Sequence, residues 1–250
     1  MVRGVSESDP GGCEHFRALA KALDRIGDRW AFLVVRDLMS GPKRFTDLME
    51  RMAGVTPKTL TRRLRDLEAD GVIDVDRQPG RREVWYRLTA AGAELQPALD
   101  ELVLWGLRNA AEPLGADEPV HPEHVLHAVQ LQLRHERVDV GSVRWGVHVP
   151  GTGNYTIIGD GSRWDLRSDN GSGTVAAVTI TAGRSALARF LTTPPPREHE
   201  SDDVEIAGTS RAIRTFLTAI EVFPPRRVSA ASSRDEDAET DVGSDVAPLA

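Results

Sequence analysis

The chain has 250 residues, 40% of them hydrophobic and 28% charged, with a formal net charge of −7 and a single cysteine. That size suits two modest domains with ordinary cores; the lone Cys13 rules out an intramolecular disulfide and fits a reducing, cytoplasmic setting; and no run approaches the roughly 18 apolar residues of a membrane span. The acidity is uneven: residues 1–115 carry 18 Lys/Arg and 18 Asp/Glu, whereas 226–250 carry 3 and 6, so basic patches in the first half are compatible with the acidic total.

Residues 1–12 are polar and Gly/Ser-rich, read as a flexible arm with no secretory signal. Phe16, Leu19, Ala20, Leu23 and Ile26 recur at helical spacing. A mostly apolar helix follows over 30–39, then a short one over 44–52 that ends at Gly54. Thr56 and Pro57 cap the next helix and Gly71 closes it. Residues 72–75 and 84–88 alternate as two strands around a turn at QPGR, giving a hairpin with Arg77, Arg81 and Arg82 near its tip. Thr89 caps a long helix over about 90–111, with Leu95, Leu99, Leu102, Val103 and Leu107 in one stripe and Trp105 beside it. Residues 113–122 (PLGADEPVHP) read as a linker.

The stretch TPKTLTRRLRDLEADG, residues 56–71, carries the chemistry. At about 100° per residue, Leu60, Leu64 and Leu67 form a buried stripe. Lys58, Arg62 and Arg65 stand opposite, with Thr61 on one flank and Thr59 and Arg63 on the other. Cations neutralise phosphates and donate to guanine edges, while threonine hydroxyls bond phosphates or bases. A short helix, a turn with Gly54, this helix and a basic hairpin make a winged helix-turn-helix.

The segments CEHFRALAKALDRIGDRWAFLVVRDLMSGPKRFTDL, GVTPKTLTRRLRDLEADGVI and VWYRLTAAGAEL resemble the HxlR-type winged-helix regulators, relatives of the MarR group. The likeness covers about residues 13–107. It implies a homodimer, paired through the first and last helices of the domain, on a pseudo-palindromic operator in double-stranded DNA. The expected DNA contacts are Arg44, Thr56, Lys58, Thr59, Arg62 and Arg63, with Arg81 and Arg82 on the wing. The wing RQPGRREV departs from the family's usual tyrosine and Pro-rich tip. Cys13 stands where family members often carry a redox-sensing thiol, which gives an alternative switch; a thiolate there needs nearby positive charge.

The second half has a different grammar. A helix near 123–136 precedes short alternating runs at 143–149, 154–159, 162–167 and 174–181, separated by Gly-rich turns, which reads as an antiparallel sheet. A helix at 184–191, a strand at 204–206 and a helix at 209–222 complete a domain over 123–225. TITAGRSALARFL and VEIAGTSRAIRTFLTAIEVF resemble segments of the sterol-carrier-protein-like fold. That resemblance implies a tunnel for a small apolar or acylated ligand, with Trp145, Tyr155, Trp164, Phe190, Phe216 and Leu217 as candidate lining; the same residues could equally fill a core. The tail from 226 to 250 is acidic and reads as disordered.

HPEHVLH places His121, His124 and His127 three apart. Two could share a helix face, but no cysteine is near, so exposed histidines and no metal are expected. There is no G-x-S-x-G, no P-loop and no Cys/His pair, so neither an enzyme nor a cofactor is expected. The sequence therefore predicts an α+β protein: a winged helix-turn-helix regulator over 13–112 with a sterol-carrier-like domain behind it. A lipid carrier with an accessory winged helix is the alternative from another class.

Overall fold

A computed structural model describes residues 14–77, 83–110, 120–169, 175–192 and 203–223. The arm, Cys13, Arg81, Arg82, most of the linker and the acidic tail lie outside the described residues.

The first unit begins with α1 (Glu14–Ile26) and α2 (Arg29–Met39). Asp28 caps α2, accepting from the Trp30 and Ala31 amides at 2.9 and 3.3 Å, which satisfies two of the donors a helix start leaves unpaired. Then come β1 (Lys43–Arg44), α3 (Phe45–Arg51) and α4 (Pro57–Ala69). Strands β2 (Ile73–Asp76) and β3 (Trp85–Leu88) follow, and β1, β3 and β2 form a small antiparallel sheet. The two-residue β1 was not visible as a strand in the sequence.

The core of this unit gathers Val34, Val35 and Leu38 from α2, Leu48 from α3, and Leu60, Leu64 and Leu67 from α4. Each such leucine contributes about 1.5–3 kcal/mol by leaving water. That stripe fixes the rotation of α4 and therefore which cations point outward.

The L-T-x-x-G step after β3 has a physical reason. Thr89 donates its hydroxyl to the Gly71 carbonyl at 2.6 Å and accepts from the Gly92 amide at 3.0 Å. A Cβ on Gly92 would sit 2.1 Å from the Val72 carbonyl oxygen, so the helix entry packs against the hairpin only with glycine there.

The expected long helix is interrupted. It runs as α5 (Ala90–Ala93) and α6 (Gln96–Asn109), parted at Glu94 and Leu95. Pro97 supplies the cause: it has no N–H for the Ala93 carbonyl and its ring crowds that turn. The stripe also differs. Leu104 is buried, while Leu102 and Trp105 are 51% and 58% exposed.

The second unit is α7 (Pro122–His135), β4 (Ser142–Val149), β5 (Gly153–Asp160), β6 (Arg163–Asp169), β7 (Val178–Ala182), α8 (Arg184–Thr192), β8 (Val204–Gly208) and α9 (Ser210–Ala219), closed by a 3-10 turn over Ile220–Val222. The sheet order is β6-β5-β4-β7-β8. It is mixed, not antiparallel: β7 returns parallel to β4, with Trp145 opposite Val178 and Val147 opposite Ile180. The chain leaves edge strand β6 and re-enters on the far side of β4, a crossover that turns cannot announce in the sequence. Alternation along β4 sends Trp145, Val147 and Val149 into the core, where they meet Leu126, Val129 and Leu133 of α7.

Helix α6 serves both cores. Leu99, with Leu95 just before the helix, packs against the first, and Val103 and Leu107 against the second.

Candidate nucleic-acid interface

Helix α4 is built as its sequence dictates. The Thr56 hydroxyl accepts from the Thr59 amide at 3.2 Å, Pro57 occupies the first turn, and Gly71 takes φ +71° at the exit. Gly54 takes φ +82° in the turn between α3 and α4, a left-handed geometry that glycine adopts without penalty. Leu60, Leu64 and Leu67 face inward, and Lys58, Arg62 and Arg65 are exposed. Pro57, Lys58, Thr61, Arg62, Arg65 and Asp66 line one shallow groove. Among the described residues Lys58 and Arg65 make no salt bridge, and Arg62 makes only a long one, 3.8 Å to Asp66. The first turn holds no acid, so its cations add to the positive end of the helix.

Two of the expected contact residues are engaged by acids. Arg63 is turned inward: it reaches Asp28 at 2.9 Å and Asp66 at 3.2 Å, with its side chain 25% exposed. It ties the start of α2 to α4. Arg44 lies at the entrance to α3, held by Asp47 at 3.0 Å and Glu83 at 3.3 Å, with its guanidinium 5.6 Å from the Trp85 ring. The hydrogen bonds from Arg44 hold the Asp47 carboxyl below the usual carboxylate range. Arg77, at the root of the wing, forms a two-pronged pair with Glu68, at 2.7 and 2.9 Å. That contact depresses the Glu68 carboxyl. Asp66 and Glu68, not weighed from the sequence, therefore occupy Arg63 and Arg77 and leave Lys58 and Arg65 without a salt bridge among the described residues. For Asp66 the available signal was an acid three residues after Arg63 and four after Arg62 on one helix; the Glu68–Arg77 pair, nine residues apart, had none.

A second constellation was missed altogether. Asp37 of α2 is fully buried. It receives His124 Nε2 of α7 at 2.8 Å, Arg51 of α3 at 3.3 Å and Arg36 at 3.5 Å. Arg51 also bonds Glu123 of α7, and the Tyr155 hydroxyl stands 3.5 Å from Glu123. Burial alone would raise the Asp37 carboxyl; the hydrogen bond from His124 and the charges of Arg36 and Arg51 outweigh it and hold it low. Burial pushes His124 and His121 down, so His124 meets Asp37 as a neutral N–H donor. One turn on, His127 bonds Asp100 of α6 at 2.9 Å, beside Arg134 at 3.1 Å. Of the histidines expected to be exposed, His124 and His127 thus form the polar joint between the two units. No metal-holding group occurs among the described residues.

The aromatic residues of the second unit are mutual neighbours. Trp145 lies 5.0 Å from Trp164 and 5.1 Å from Phe216, ring centre to ring centre. Tyr155 and Phe190 belong to the same buried cluster, and Leu217 packs on it. Trp164 donates its indole N–H to the Val138 carbonyl at 2.9 Å.

Residues 25–113 match the family model described as HxlR-like helix-turn-helix. An HTH-type transcriptional regulator of Methanothermobacter thermautotrophicus is 36% identical over 104 residues, 41% of this chain and 79% of that protein. The Bacillus subtilis HTH-type regulator YtcD is 36% identical over 108 residues, 42% of this chain and 84% of that one. The crystal structure of the HTH-type regulator ytcD is 38% identical, with a TM-score of 0.34, covering 35% of this chain and 90% of that one. By the share of its relatives that it spans, the chain belongs to the HxlR-like helix-turn-helix family.

Proposed function

We propose that the protein is a homodimeric, cytoplasmic transcription regulator that grips a pseudo-palindromic operator in double-stranded DNA with the exposed face of α4. The observation that carries this reading is the pair of unbridged cations, Lys58 and Arg65, flanking Arg62 on the side opposite the buried leucines. Lys58, Thr59, Arg62 and Arg65 face the major groove, and the wing beyond Arg77, including Arg81 and Arg82, follows the adjacent backbone. Thr56 is spent on capping. Arg63 and Arg44 position the helix-turn-helix rather than touch DNA, because acids already hold them.

Dimerisation is supported by apolar surface with no partner in one chain. Leu19 and Leu23 on α1 are 67% and 49% exposed, and Leu102 and Trp105 on α6 are also exposed. Large apolar side chains clustered on helices mark association surfaces more often than solvent faces.

Titration of a labelled duplex carrying the operator, or of genomic fragments before it is known, tests the DNA reading. Tight binding should fall steeply with salt, since several phosphates exchange counterions for these cations. Binding that is flat in salt, or absent, overturns it.

The second unit, on its resemblance to the sterol-carrier-like fold, is read as the module that accepts a small apolar effector. Trp145, Trp164 and Phe216 fill a core by packing on one another, so a ligand there would have to part them. Native mass spectrometry of the purified protein reads dimer mass and retained ligand together; a bare polypeptide mass after purification and after incubation with acyl chains removes the ligand reading.

A further inference from the structure

The exposed face of α4 has a candidate occupant within the chain itself. Residues 224–250 contain Asp235, Glu236, Asp237, Glu239, Asp241 and Asp245 against Arg226, Arg227 and Arg234. All six acids fall after the last of these cations. From Asp235 onward the segment is a polyanion with no countercharge of its own.

Its spacing suits the helix. In an extended chain alternate residues share one side about 6.6 Å apart, which aligns Asp235, Asp237, Glu239 and Asp241. On α4 the outward cations step by four and then three residues, from Lys58 to Arg62 to Arg65, at about 5–6 Å. Elsewhere on the first unit four arginines meet acids, Arg25 with Asp70, Arg44 with Glu83, Arg77 with Glu68 and Arg87 with Asp74, while Arg29 lies over the Trp30 ring. The α4 groove holds two cations, Lys58 and Arg65, that bridge no acid among the described residues, on either side of Arg62.

The described fold ends at Phe223, and the 12 steps to Asp235 reach at most about 40 Å. A site within that reach meets tethered acids at an effective concentration near the millimolar range. A contact too weak to survive between separate molecules is populated under those conditions.

We infer that the acidic segment 235–245 docks on the Lys58–Arg62–Arg65 face of α4 and competes with DNA there, acting as a built-in brake on non-operator binding. The competition with DNA rests on the proposed function; the docking itself does not. Non-operator DNA offers only phosphates, so an equally electrostatic competitor displaces it. An operator that adds base contacts outbids the tail.

The test uses the full chain and a full-length variant with D235N, E236Q, D237N, E239Q, D241N and D245N. Anisotropy of a labelled random-sequence duplex at low salt should show about tenfold tighter binding by the neutralised variant, as expected if the tail covers nine-tenths of the sites. In parallel, a labelled peptide of residues 229–250 is titrated into the neutralised protein with and without K58A and R65A. Binding that those two changes abolish supports the inference. Equal DNA affinity of the two full-length forms overturns the brake. A peptide that fails to bind, or binds regardless of K58A and R65A, overturns the docking. If neither form binds DNA while the peptide still binds through Lys58 and Arg65, the docking stands and the DNA-binding reading is what has failed.

Discussion

His124 of the second unit donates to the buried carboxylate of Asp37 in the first, across 2.8 Å. Arg51 and Glu123 bond alongside it. A buried carboxylate stripped of a partner is costly, so Asp37→Ala, which leaves Arg51 and His124 facing each other without the anion, should destabilise the protein by about 3–5 kcal/mol. His124→Ala should cost less, because Arg51 and Arg36 remain. Denaturant unfolding of the three proteins checks the order.

The same joint should make stability depend on pH. His121 and His124 both have folded pKa values lowered by burial, against about 6.5 when unfolded. Below that value the unfolded chain takes up protons the folded one refuses. Stability is therefore fully present above about pH 7 and is lost as pH falls through 6.5. Asp37, lowered in the fold, adds a further loss only in the acid range below about pH 4. A thermal melting series from pH 8 to 5 should show the slope, and His121→Gln with His124→Gln should flatten it.

Arg62 and Arg63 are neighbours in sequence with opposite expected phenotypes. Arg62→Ala should weaken operator binding by about 1–3 kcal/mol if it reads a base and leave the melting temperature in place. Arg63→Ala should lower the melting temperature, since its contacts are Asp28 and Asp66. Gel shifts and melts on both variants separate the roles; an unchanged shift for Arg62→Ala counts against its contact.

Glu68 clasps Arg77 with both carboxylate oxygens. Glu68→Gln should free the wing root from the end of α4. Its expected signature is a faster association with DNA and a steeper salt slope, as one more cation becomes available. Stopped-flow association at two salt concentrations reads it, and an unchanged rate would mean the clasp persists on DNA.

Trp105 and Leu102 should matter only in the dimer. Leu102→Asp should shift sedimentation to monomer mass and weaken operator binding, while a folded circular-dichroism spectrum persists.

Much of the first unit was legible because its signals are local. Thr56, Pro57 and Gly71 bracket α4 by themselves, and the spacing of three leucines fixes its rotation. The mixed sheet was hidden because nothing in residues 162–181 distinguishes a hairpin return from a crossover. The joint was hidden for a different reason: a histidine beside a linker looks solvated until a distant acid is known to face it. Of the proposed DNA contacts, the cations themselves were visible, but their rank was not. Arg63 and Arg62 differ by one position, and only the placement of Asp28 decides that one is occupied.

Helix α6 lends Leu99, beside Leu95 at its cap, to one core and Val103 and Leu107 to the other. The family likeness stops at residue 113, but the packing respects no seam there. A chimera that moved the winged helix onto another effector module by cutting in the 111–119 stretch would carry away half of a helix face made for its old companion. Modular shuffling of this regulator would have to bring α7 along, and the two halves should melt in one transition rather than two.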